Sequence, residues 1–368
     1  MKVAIVHDWL VNYGGAERVL EQMLVLYPDA DIFTLVYDKS KMAAHFPPEK
    51  VHPSMLQKIP KATKIYTKLL YFMPKAFEAF DFSGYDLVIA SSSSCAKGII
   101  TPSSVPYVAY IHSPMRYAWD LYHDYLRASN TLTRFFMRRW IPRLRQWDYI
   151  SSQRIDSIVA NSAYIARRIK KFWNREAEII HPPVDVERLS PNGKEPEDFF
   201  VAFSRFVPYK RLDLAIQACG KLGKKLIVIG GGSQENELKA LAAPYKTVSF
   251  TGKISDDEVK DYLQRCRALI FCAEEDFGII PVEVQACGRP VVAFGRGGAL
   301  ETVIDGKTGV FFKEQTLPSL VEALQQFESM RFSVDEIVSH AQNFSNSRFR
   351  RELQEVIRQT QTAVTGQQ

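Results

Sequence analysis

Two glutamates separated by seven residues are the first group in this sequence whose types and spacing could do chemistry. Glu275 and Glu283 flank the stretch 276–282, which follows the apolar run 268–273. A short apolar run that ends in acids and a glycine is typical of a buried strand opening into a loop, and a helix is expected to begin near Pro281. Glu275 would then lie at the carboxyl end of the strand. Glu283 would lie one turn into the helix, where it could accept hydrogen bonds from vicinal hydroxyls.

The backbone between the two acids offers a site for an anion. The first amides of a helix have no intrahelical acceptor, so they can bind a phosphate. The amides concerned are those of Phe277, Gly278, Ile279 and Ile280. The stretch thus offers a carboxylate for a sugar, a phosphate site and a carboxylate for a ribose. A solvated loop acid followed by a helix acid favoured by the dipole would give the same spacing.

A pair of basic residues lies in a second loop between a predicted strand and a predicted helix. Arg205 and Lys210 follow the strand 199–203, with Pro208 between them. Cations five positions apart in such a loop can bind one diphosphate from two sides. Basic loop residues are usually only solvated, so the interpretation of this pair depends on the rest of the chain.

The N-terminal half carries a glycine pair and a histidine at comparable positions. Gly14 and Gly15 lie between the predicted strand 2–7 and a helical pattern, where they let a backbone amide approach a ligand. The Gly-x-Gly-x-x-Gly spacing of dinucleotide sites is missing, which disfavours an oxidoreductase. His112 directly follows the predicted strand 107–111, at the sheet edge where ligands bind.

Together these groups resemble the signature of the family 4 retaining glycosyltransferases, which move a sugar from a nucleotide-sugar donor. They occur in the family's order along the chain: Gly14-Gly15, His112, Arg205 with Lys210, Thr251-Gly252-Lys253, and Glu275 with Glu283. The resemblance implies the α/β GT-B fold, with two facing Rossmann-like domains built on parallel, doubly wound sheets.

The resemblance also implies a role for each group. The glycine loop, the two cations and the amides after Glu275 would bind the donor diphosphate. Glu275 and His112 would contact the donor sugar, Glu283 the ribose, and Lys253 and Ile254 the nucleobase. No metal or cofactor is then required. The residues assigned to catalysis are His112, Glu275, Arg205 and Lys210.

Length and patterning favour two domains. A chain of 368 residues suits two cores, and short apolar strands alternate with helical segments in both halves. We expect an acceptor-side domain over 1–185, a nucleotide-sugar-binding domain over 196–345 and a helix over 346–368 that returns to the first domain. The stretch 179–198, where proline, glycine and charged residues concentrate, is the expected hinge.

Charge and cysteine content narrow the partners and the compartment. The net charge of +6 and pI near 8.9 favour anionic partners. No nucleic-acid-binding motif accompanies the charge, so nucleic acid is not expected. Five scattered cysteines indicate reduced thiols, and a strand predicted directly after Met1 leaves no room for a signal peptide. The expected location is the cytoplasm, with peripheral contact at the inner face of the plasma membrane.

Two segments combine basic with aromatic and aliphatic residues. The first spans 55–80 and the second spans 134–147. Each suits a helix with a solvated basic face, and each also suits contact with an anionic membrane surface. The second interpretation would fit an acceptor carried on a lipid.

The sequence leaves the substrates open. The stretch 112–120 is similar to that of bacterial mannosyltransferases, which favours GDP-mannose, and a UDP-hexose such as UDP-glucose fits equally well. The expected reaction transfers a hexose with retention, a donor phosphate oxygen taking the acceptor's proton. The acceptor would be a saccharide or lipid-linked saccharide of exopolysaccharide or cell-surface polysaccharide biosynthesis. The alternatives are a nucleotide-sugar epimerase, a phosphorylase, and a non-catalytic protein that binds nucleotide sugars or lipid surfaces.

Overall fold

The computed structural model describes residues 1–366, and the chain forms two compact units. Unit 1 holds Met1–His181 together with the chain from Phe349 onward, and unit 2 holds Pro182–Arg348. Residues 186–195, which lie between the two predicted domains, belong to unit 2.

Unit 1 is built on a parallel sheet that has seven strands within the described residues. The strands lie in the order β3-β2-β1-β4-β5-β6-β7. Their bounds are β1 (Val3–His7), β2 (Asp31–Thr34), β3 (Val51–Pro53), β4 (Leu87–Ser92), β5 (Tyr107–Ile111), β6 (Ser157–Ala160) and β7 (Glu178–Ile179). The α-helices of the first 181 residues are α1 (Gly15–Leu26), α2 (Lys39–Met42), α3 (Ala62–Ile65), α4 (Met73–Glu78), α5 (Tyr122–Ala128), α6 (Thr131–Ser152) and α7 (Ala163–Trp173).

Unit 2 is built on a second parallel sheet, with six strands in the order β10-β9-β8-β11-β12-β13 within the described residues. The strands are β8 (Phe200–Phe203), β9 (Leu226–Ile229), β10 (Val248–Gly252), β11 (Ala268–Phe271), β12 (Val291–Phe294) and β13 (Gly309–Phe312). The helices are α8 (Leu212–Leu222), α9 (Glu235–Ala242), α10 (Asp256–Arg265), α11 (Ile279–Ala286), α12 (Ala299–Thr302), α13 (Leu317–Glu328) and α14 (Val334–Gln342). The final helix, α15, spans Asn346–Thr365.

The apolar runs of the sequence become strands buried on both faces. Every residue of β1, β4 and β5 is buried, as expected where helices cover both sides of a parallel sheet. Separate clusters of buried side chains lie on the two faces of each sheet. The predicted α/β class with two doubly wound parallel sheets is therefore confirmed.

The last helix packs on unit 1. Phe349, Leu353, Val356 and Ile357 of α15 are buried in the same cluster as Ile5 of β1. The ring of Phe349 meets that of Tyr110 on β5 edge-on, with the ring centroids 5.6 Å apart. The predicted return of the C-terminal helix to the first domain is thus confirmed.

One strand is shorter than its apolar run predicts. The run 32–37 is apolar except for Thr34 and predicts a single strand, but β2 ends at Thr34. Beyond it the backbone leaves the sheet for the loop after β1: the Leu35 amide donates to Asp8 and the Leu10 amide donates to Val36. Apolar content alone does not distinguish a strand from a buried loop.

Each sheet has a switch point, where strands that follow along the chain are placed first on one side of a strand and then on its other side. In unit 1, β2 and β4 lie on opposite sides of β1; in unit 2, β9 and β11 lie on opposite sides of β8. In open parallel sheets, ligands bind outside the carboxyl ends of the strands at such a switch point. The fold therefore predicts one ligand-binding edge in each unit.

Two further features are the thiols and the length of the apolar helices. All five cysteines are buried free thiols, and burial raises the pKa of Cys219 and Cys287 to about 12. No helix within residues 1–366 combines the length and apolar character needed to cross a bilayer.

Candidate functional site

The loop after β8 is held close to the turn after β9 by backbone hydrogen bonds. The Phe206 amide donates to the Gly231 carbonyl over 3.0 Å, and the Ser204 amide donates to Ile229 over 3.2 Å. A Cβ atom on Gly230 would lie 2.0 Å from the Ser204 carbonyl oxygen, so no larger residue fits. The glycine turn fixes the backbone that carries Arg205. The exposed side chain of Arg205 donates a hydrogen bond to the Tyr209 hydroxyl over 3.3 Å.

Lys210 and Glu275 meet across the switch point of the second sheet. Lys210 ends the short helix 208–210 after β8, and Glu275 follows β11, the neighbour of β8 on the other side. The Lys210 ammonium contacts Glu275 Oε1 directly. Lys210 is 9% exposed, and the Glu275 side chain 21%, so the pair faces the edge of the sheet from a partly buried position. A cation and a carboxylate thus lie together where a ligand of this fold binds.

The loop from Glu275 to Gly278 packs tightly against the loop after β12. The Gly298 amide donates to the Glu275 carbonyl over 2.8 Å. A Cβ atom on Gly298 would lie 2.2 Å from Phe277 Cα, and one on Gly297 would lie 2.4 Å from the Glu275 oxygen. Both glycines are therefore required by the close approach of two backbones.

Helix α11 begins at Ile279, two residues before the expected start near Pro281. Proline fits because the amides of a first turn have no intrahelical acceptor to lose. Gly278 precedes the helix with φ of 90° and offers no side-chain cap, so the amides of Ile279 and Ile280 are available for an anion. Glu283 lies one turn further along and is 5% exposed.

Lys253 and Ile254 occupy the loop between β10 and α10. The side chain of Lys253 lies beside the glycine turn, since a Cβ on Gly231 would be 3.6 Å from Lys253 Cγ and Cε. Helix α10 opens with a capping box: Ser255 Oγ accepts from the Glu258 amide, and the Glu258 carboxylate accepts from the Ser255 amide. The cap fixes where the loop ends.

In unit 1 the glycine pair opens helix α1 at the switch point of the first sheet. Gly14 is the residue before the helix and Gly15 its first residue, with no side-chain cap. Glu17, in the first turn, is 7% exposed and turns inward, with Oε1 3.4 Å from Nε2 of His7 at the end of β1.

His112 follows β5 as predicted and belongs to a hydrogen-bonded group. Its Nε2 lies 2.8 Å from Ser91 Oγ, and its backbone carbonyl accepts from Asn161 Nδ2 over 3.0 Å. Burial, with a smaller contribution from the nearby His7, lowers the pKa of His112 to about 3. The imidazole is therefore neutral over the physiological range.

Three members of this group were not predicted from the sequence: His7, Glu17 and Ser91. His7 Nδ1 lies 3.1 Å from Ser91 Oγ, so the four side chains form a continuous series. The signal was available in part, because His7 ends a predicted strand and Glu17 opens a predicted helix. Ser91 belongs to an unremarkable serine run, and only the sheet order brings it next to β1.

A neighbouring aspartate holds the chain that follows β4. The Asp8 carboxylate accepts hydrogen bonds from the amides of Ser93, Ser94 and Ala96, at 2.5, 2.9 and 2.8 Å. A carboxylate that accepts several amides fixes a loop firmly. Asp8 thereby keeps β4 and its loop in register with the end of β1.

The structure thus forms two clusters of predicted residues. In unit 2, Arg205, Lys210, Lys253, Ile254, Glu275, Phe277, Gly278, Ile279, Ile280 and Glu283 all lie in or directly after the loops at the carboxyl edge of the sheet. In unit 1, Gly14, Gly15 and His112 lie at the same edge of the first sheet. The role of each residue toward a substrate stays a prediction.

The two basic aromatic segments lie against each other in unit 1. The Tyr71 and Trp140 rings have centroids 3.9 Å apart, and Trp147 Nε1 donates to Glu78 over 2.9 Å. Both segments keep exposed apolar side chains, those of Tyr71, Phe72, Phe135 and Phe136, and Leu132 just before the second segment is exposed as well.

Comparison with known families bears on both units at once. A model of the family described as Glycosyltransferase Family 4 matches residues 13–188, and a model described as Glycosyl transferases group 1 matches residues 185–346. The chain belongs to the family 4 glycosyltransferases. It is therefore a transferase, and its two sheets are those of the GT-B fold.

Two relatives show how far the likeness extends. An uncharacterised glycosyltransferase of Methanocaldococcus jannaschii is 23% identical over 336 residues, covering 88% of this chain and 87% of the relative. A GDP-mannose-dependent α-(1-6)-phosphatidylinositol monomannoside mannosyltransferase of Mycolicibacterium smegmatis is 31% identical over 183 residues, covering 42% of this chain. The second match spans only 48% of that relative's length.

Among solved structures, HepE of Anabaena in complex with UDP-glucose is similar over almost the whole chain. The TM-score is 0.68 at 19% identity, covering 98% of this chain and 100% of HepE. At that identity the likeness concerns the fold alone.

Proposed function

We propose that this glycosyltransferase moves a hexose, with retention, from a nucleotide sugar to a saccharide or lipid-linked saccharide acceptor. The reaction would serve exopolysaccharide or cell-surface polysaccharide biosynthesis. The observation that carries the proposal is the contact between Lys210 and Glu275 at the switch point of the second sheet. A cation for the diphosphate and a carboxylate for the sugar hydroxyls are needed side by side, because the bond that breaks joins the sugar to the phosphate.

The chemistry follows from where charge develops. The bond between the anomeric carbon and the diphosphate oxygen breaks, and a bond from the acceptor oxygen to the same carbon forms. The acceptor's proton moves to a diphosphate oxygen on the same face. Lys210, Arg205 and the first amides of α11 would stabilise the negative charge that builds up on the leaving diphosphate. Glu275 would orient the sugar, and Glu283 the ribose.

The contribution of Lys210 can be measured directly. Lys210→Met should lower kcat by about 10²–10³-fold, the usual cost of removing one group that stabilises transition-state charge. Lys246→Met, which changes an exposed lysine of the same unit, is the matched control and should stay close to the unchanged chain. Equal activities of the two variants would remove Lys210 from the mechanism.

Two donors fit the proposal, GDP-mannose and UDP-glucose. The Mycolicibacterium relative depends on GDP-mannose by name, and HepE was solved with UDP-glucose. The nucleobase would be bound mainly by the backbone around Lys253 and Ile254, so the side chains alone do not choose between the two.

The donor is identified by thermal stabilisation with UDP, GDP, ADP and their sugar conjugates. A ligand that binds only the folded state stabilises it by about 2.7 kcal/mol at a concentration one hundred times its Kd. One nucleotide family should raise Tm, and Glu283→Gln should reduce the shift. Glu322→Gln, an exposed acid of the same unit, should leave the shift unchanged. If no nucleotide raises Tm, the proposed donor class is wrong.

The acceptor side is proposed to lie at an anionic membrane. Helix α6 exposes Leu132, Phe135 and Phe136, which are 68%, 66% and 60% exposed. Arg138 and Arg139 are exposed on the same helix, and residues 131–147 include no Asp or Glu. Apolar side chains interleaved with arginine complement the headgroups and upper acyl region of an anionic leaflet.

Co-sedimentation with liposomes tests this proposal. The protein should bind phosphatidylglycerol vesicles and not phosphatidylcholine vesicles, and binding should weaken as salt screens the arginines. The double variant Phe135→Ser, Phe136→Ser should lose binding. Val25→Ser, which changes an exposed apolar residue of α1, should retain it. Indifference to anionic vesicles at low salt would show that the exposed face of α6 has another role.

A further inference from the structure

A hydrogen-bonded series of four side chains lies at the switch point of the first sheet. Glu17 Oε1 is 3.4 Å from His7 Nε2, His7 Nδ1 is 3.1 Å from Ser91 Oγ, and Ser91 Oγ is 2.8 Å from His112 Nε2. The first three side chains are almost closed off from solvent, at 7%, 3% and 0% exposed. His112 alone is partly exposed.

The order of donors along the series follows from counting protons. When Glu17 is ionised and His7 is neutral, the carboxylate only accepts, so the single His7 proton lies on Nε2 and points to Glu17. His7 Nδ1 is then an acceptor and receives the one proton of the Ser91 hydroxyl. Ser91 Oγ must therefore accept from His112, which places the His112 proton on Nε2. Each hydrogen bond holds one proton, so the direction of the bond from His7 to Glu17 sets the direction of the other two bonds.

The far end of the series is an unprotonated nitrogen at the sheet edge. His112 Nδ1 makes no hydrogen bond within the described residues and is not among the enclosed, unpaired side-chain nitrogens. With the ring proton on Nε2, Nδ1 presents a lone pair. A lone pair accepts a hydrogen bond from a hydroxyl and repels a carboxylate.

We propose that Glu17, His7 and Ser91 are positioning residues that fix His112 as the Nε2-protonated tautomer, so that Nδ1 accepts a hydrogen bond from a hydroxyl of the donor sugar. The consequence for the sugar rests on the proposed function, whereas the series itself does not. The substrate class that follows is a hexose with a free hydroxyl facing His112. A uronic acid, which offers a carboxylate there, and a deoxy sugar, which offers nothing, are poorer donors.

The tautomer is measured on the ligand-free full chain by long-range proton–nitrogen NMR of its histidines. At about pH 8, where ordinary histidines are neutral, His7 and His112 should each carry their proton on Nε2 alone. Single substitutions of the two histidines assign their signals among the seven in the chain. A doubly protonated His7 would reverse the direction of the hydrogen bonds and place the His112 proton on Nδ1. A proton on Nδ1 of His112 would overturn the inference.

A matched pair of serine variants tests the coupling to transfer. Ser91→Ala breaks the series, whereas Ser92→Ala removes the neighbouring hydroxyl, which is 1% exposed and accepts only from the Ser94 and Lys97 amides at 3.3 Å. Ser91→Ala should release His112 to a mixture of tautomers. As expected for one misdirected hydrogen bond to the sugar, kcat should fall about tenfold and the KM of the donor should change less than about twofold. Ser92→Ala should change neither the tautomer nor kcat. Equal losses in both variants would reduce the role of Ser91 to packing and overturn the inference.

The two proposals fail in different ways. If His112 carries its proton on Nε2 and no nucleotide sugar supports transfer, the proposed function is wrong and the series stands. If transfer is observed and Nδ1 of His112 is protonated, the proposed function stands and the positioning role is wrong.

Discussion

The buried ion pair of Lys97 and Asp148 gives a sharp test of what holds unit 1 together. The side chain of Lys97 is 1% exposed and that of Asp148 is 0% exposed. Lys97 Nζ lies 3.1 Å from Asp148 Oδ1 in an ion pair without hydrogen-bond geometry. The other carboxylate oxygen accepts from the indoles of Trp119 and Trp173, over 2.8 and 2.7 Å. The pair thus links β4's loop, α6, α7 and the segment after His112.

Asp148→Asn should destabilise unit 1 by about 3–5 kcal/mol, the range for removing one partner of a buried ion pair. The asparagine has one oxygen and one NH₂ group in place of two oxygens. If its NH₂ group faces the two indoles, these buried donors lose their acceptor. If it faces Lys97 instead, the buried ammonium loses its counter-charge. Adding Lys97→Met removes the uncompensated charge, so the double variant should be less destabilised than the sum of the single variants.

Tryptophan fluorescence isolates the unit in question, because all five tryptophans of the chain lie in unit 1. Guanidinium unfolding followed by this signal should show a lower midpoint at unchanged slope. Asp156→Asn is the control. It changes an exposed carboxylate of the same unit that accepts from the Tyr107 amide over 2.8 Å, and it should cost at most about 1 kcal/mol. A loss below about 1 kcal/mol for Asp148→Asn would refute the reasoning.

Three further predictions concern the fold and the site. The pKa of His112 is lowered to about 3, whereas an unfolded histidine titrates near 6.5, so the unfolded chain binds more protons between these pH values. The free energy of unfolding of unit 1 should therefore fall by up to about 1.4 kcal/mol per pH unit as pH falls through this window. His112→Gln should flatten this slope. Phe349→Ala should cost unit 1 about 3–5 kcal/mol in fluorescence-detected unfolding, since it empties a fully buried ring site beside Tyr110. Gly298→Ala should weaken nucleotide binding by at least about tenfold in calorimetry, because its Cβ would lie 2.2 Å from Phe277 Cα. Gly84→Ala is the control and should bind nucleotide as before, because a Cβ on Gly84 would meet no atom within 4 Å.

Much of the fold could be predicted because its signals are local. The strand 107–111 was predicted to the residue, since it is a short apolar run bounded by turn residues. The capping box at Ser255 follows from two residues three positions apart. Strands β3 and β7, with three and two residues, were missed because a run of that length carries no periodicity.

The positions of the candidate residues could be predicted, but their contacts could not. Arg205, Lys210, Glu275 and His112 all follow predicted strands, and the carboxyl edge of a parallel sheet is where such residues gather. Which of them touch depends on strand order. Lys210 meets Glu275 because β11 pairs with β8, although the 64 residues 204–267 separate the two strands in the chain.

The family, the doubly wound sheets and the residue types at each strand end could be read from the sequence, because these depend on residue types and short spacings. Only the tertiary structure decided that Glu17, His7, Ser91 and His112 form one series and that Lys97 and Asp148 form a buried pair. Those contacts join strands and helices whose adjacency is a property of the sheet order, and a side chain such as Ser91 acquires its partners, and with them its chemistry, only when β4 lies beside β1.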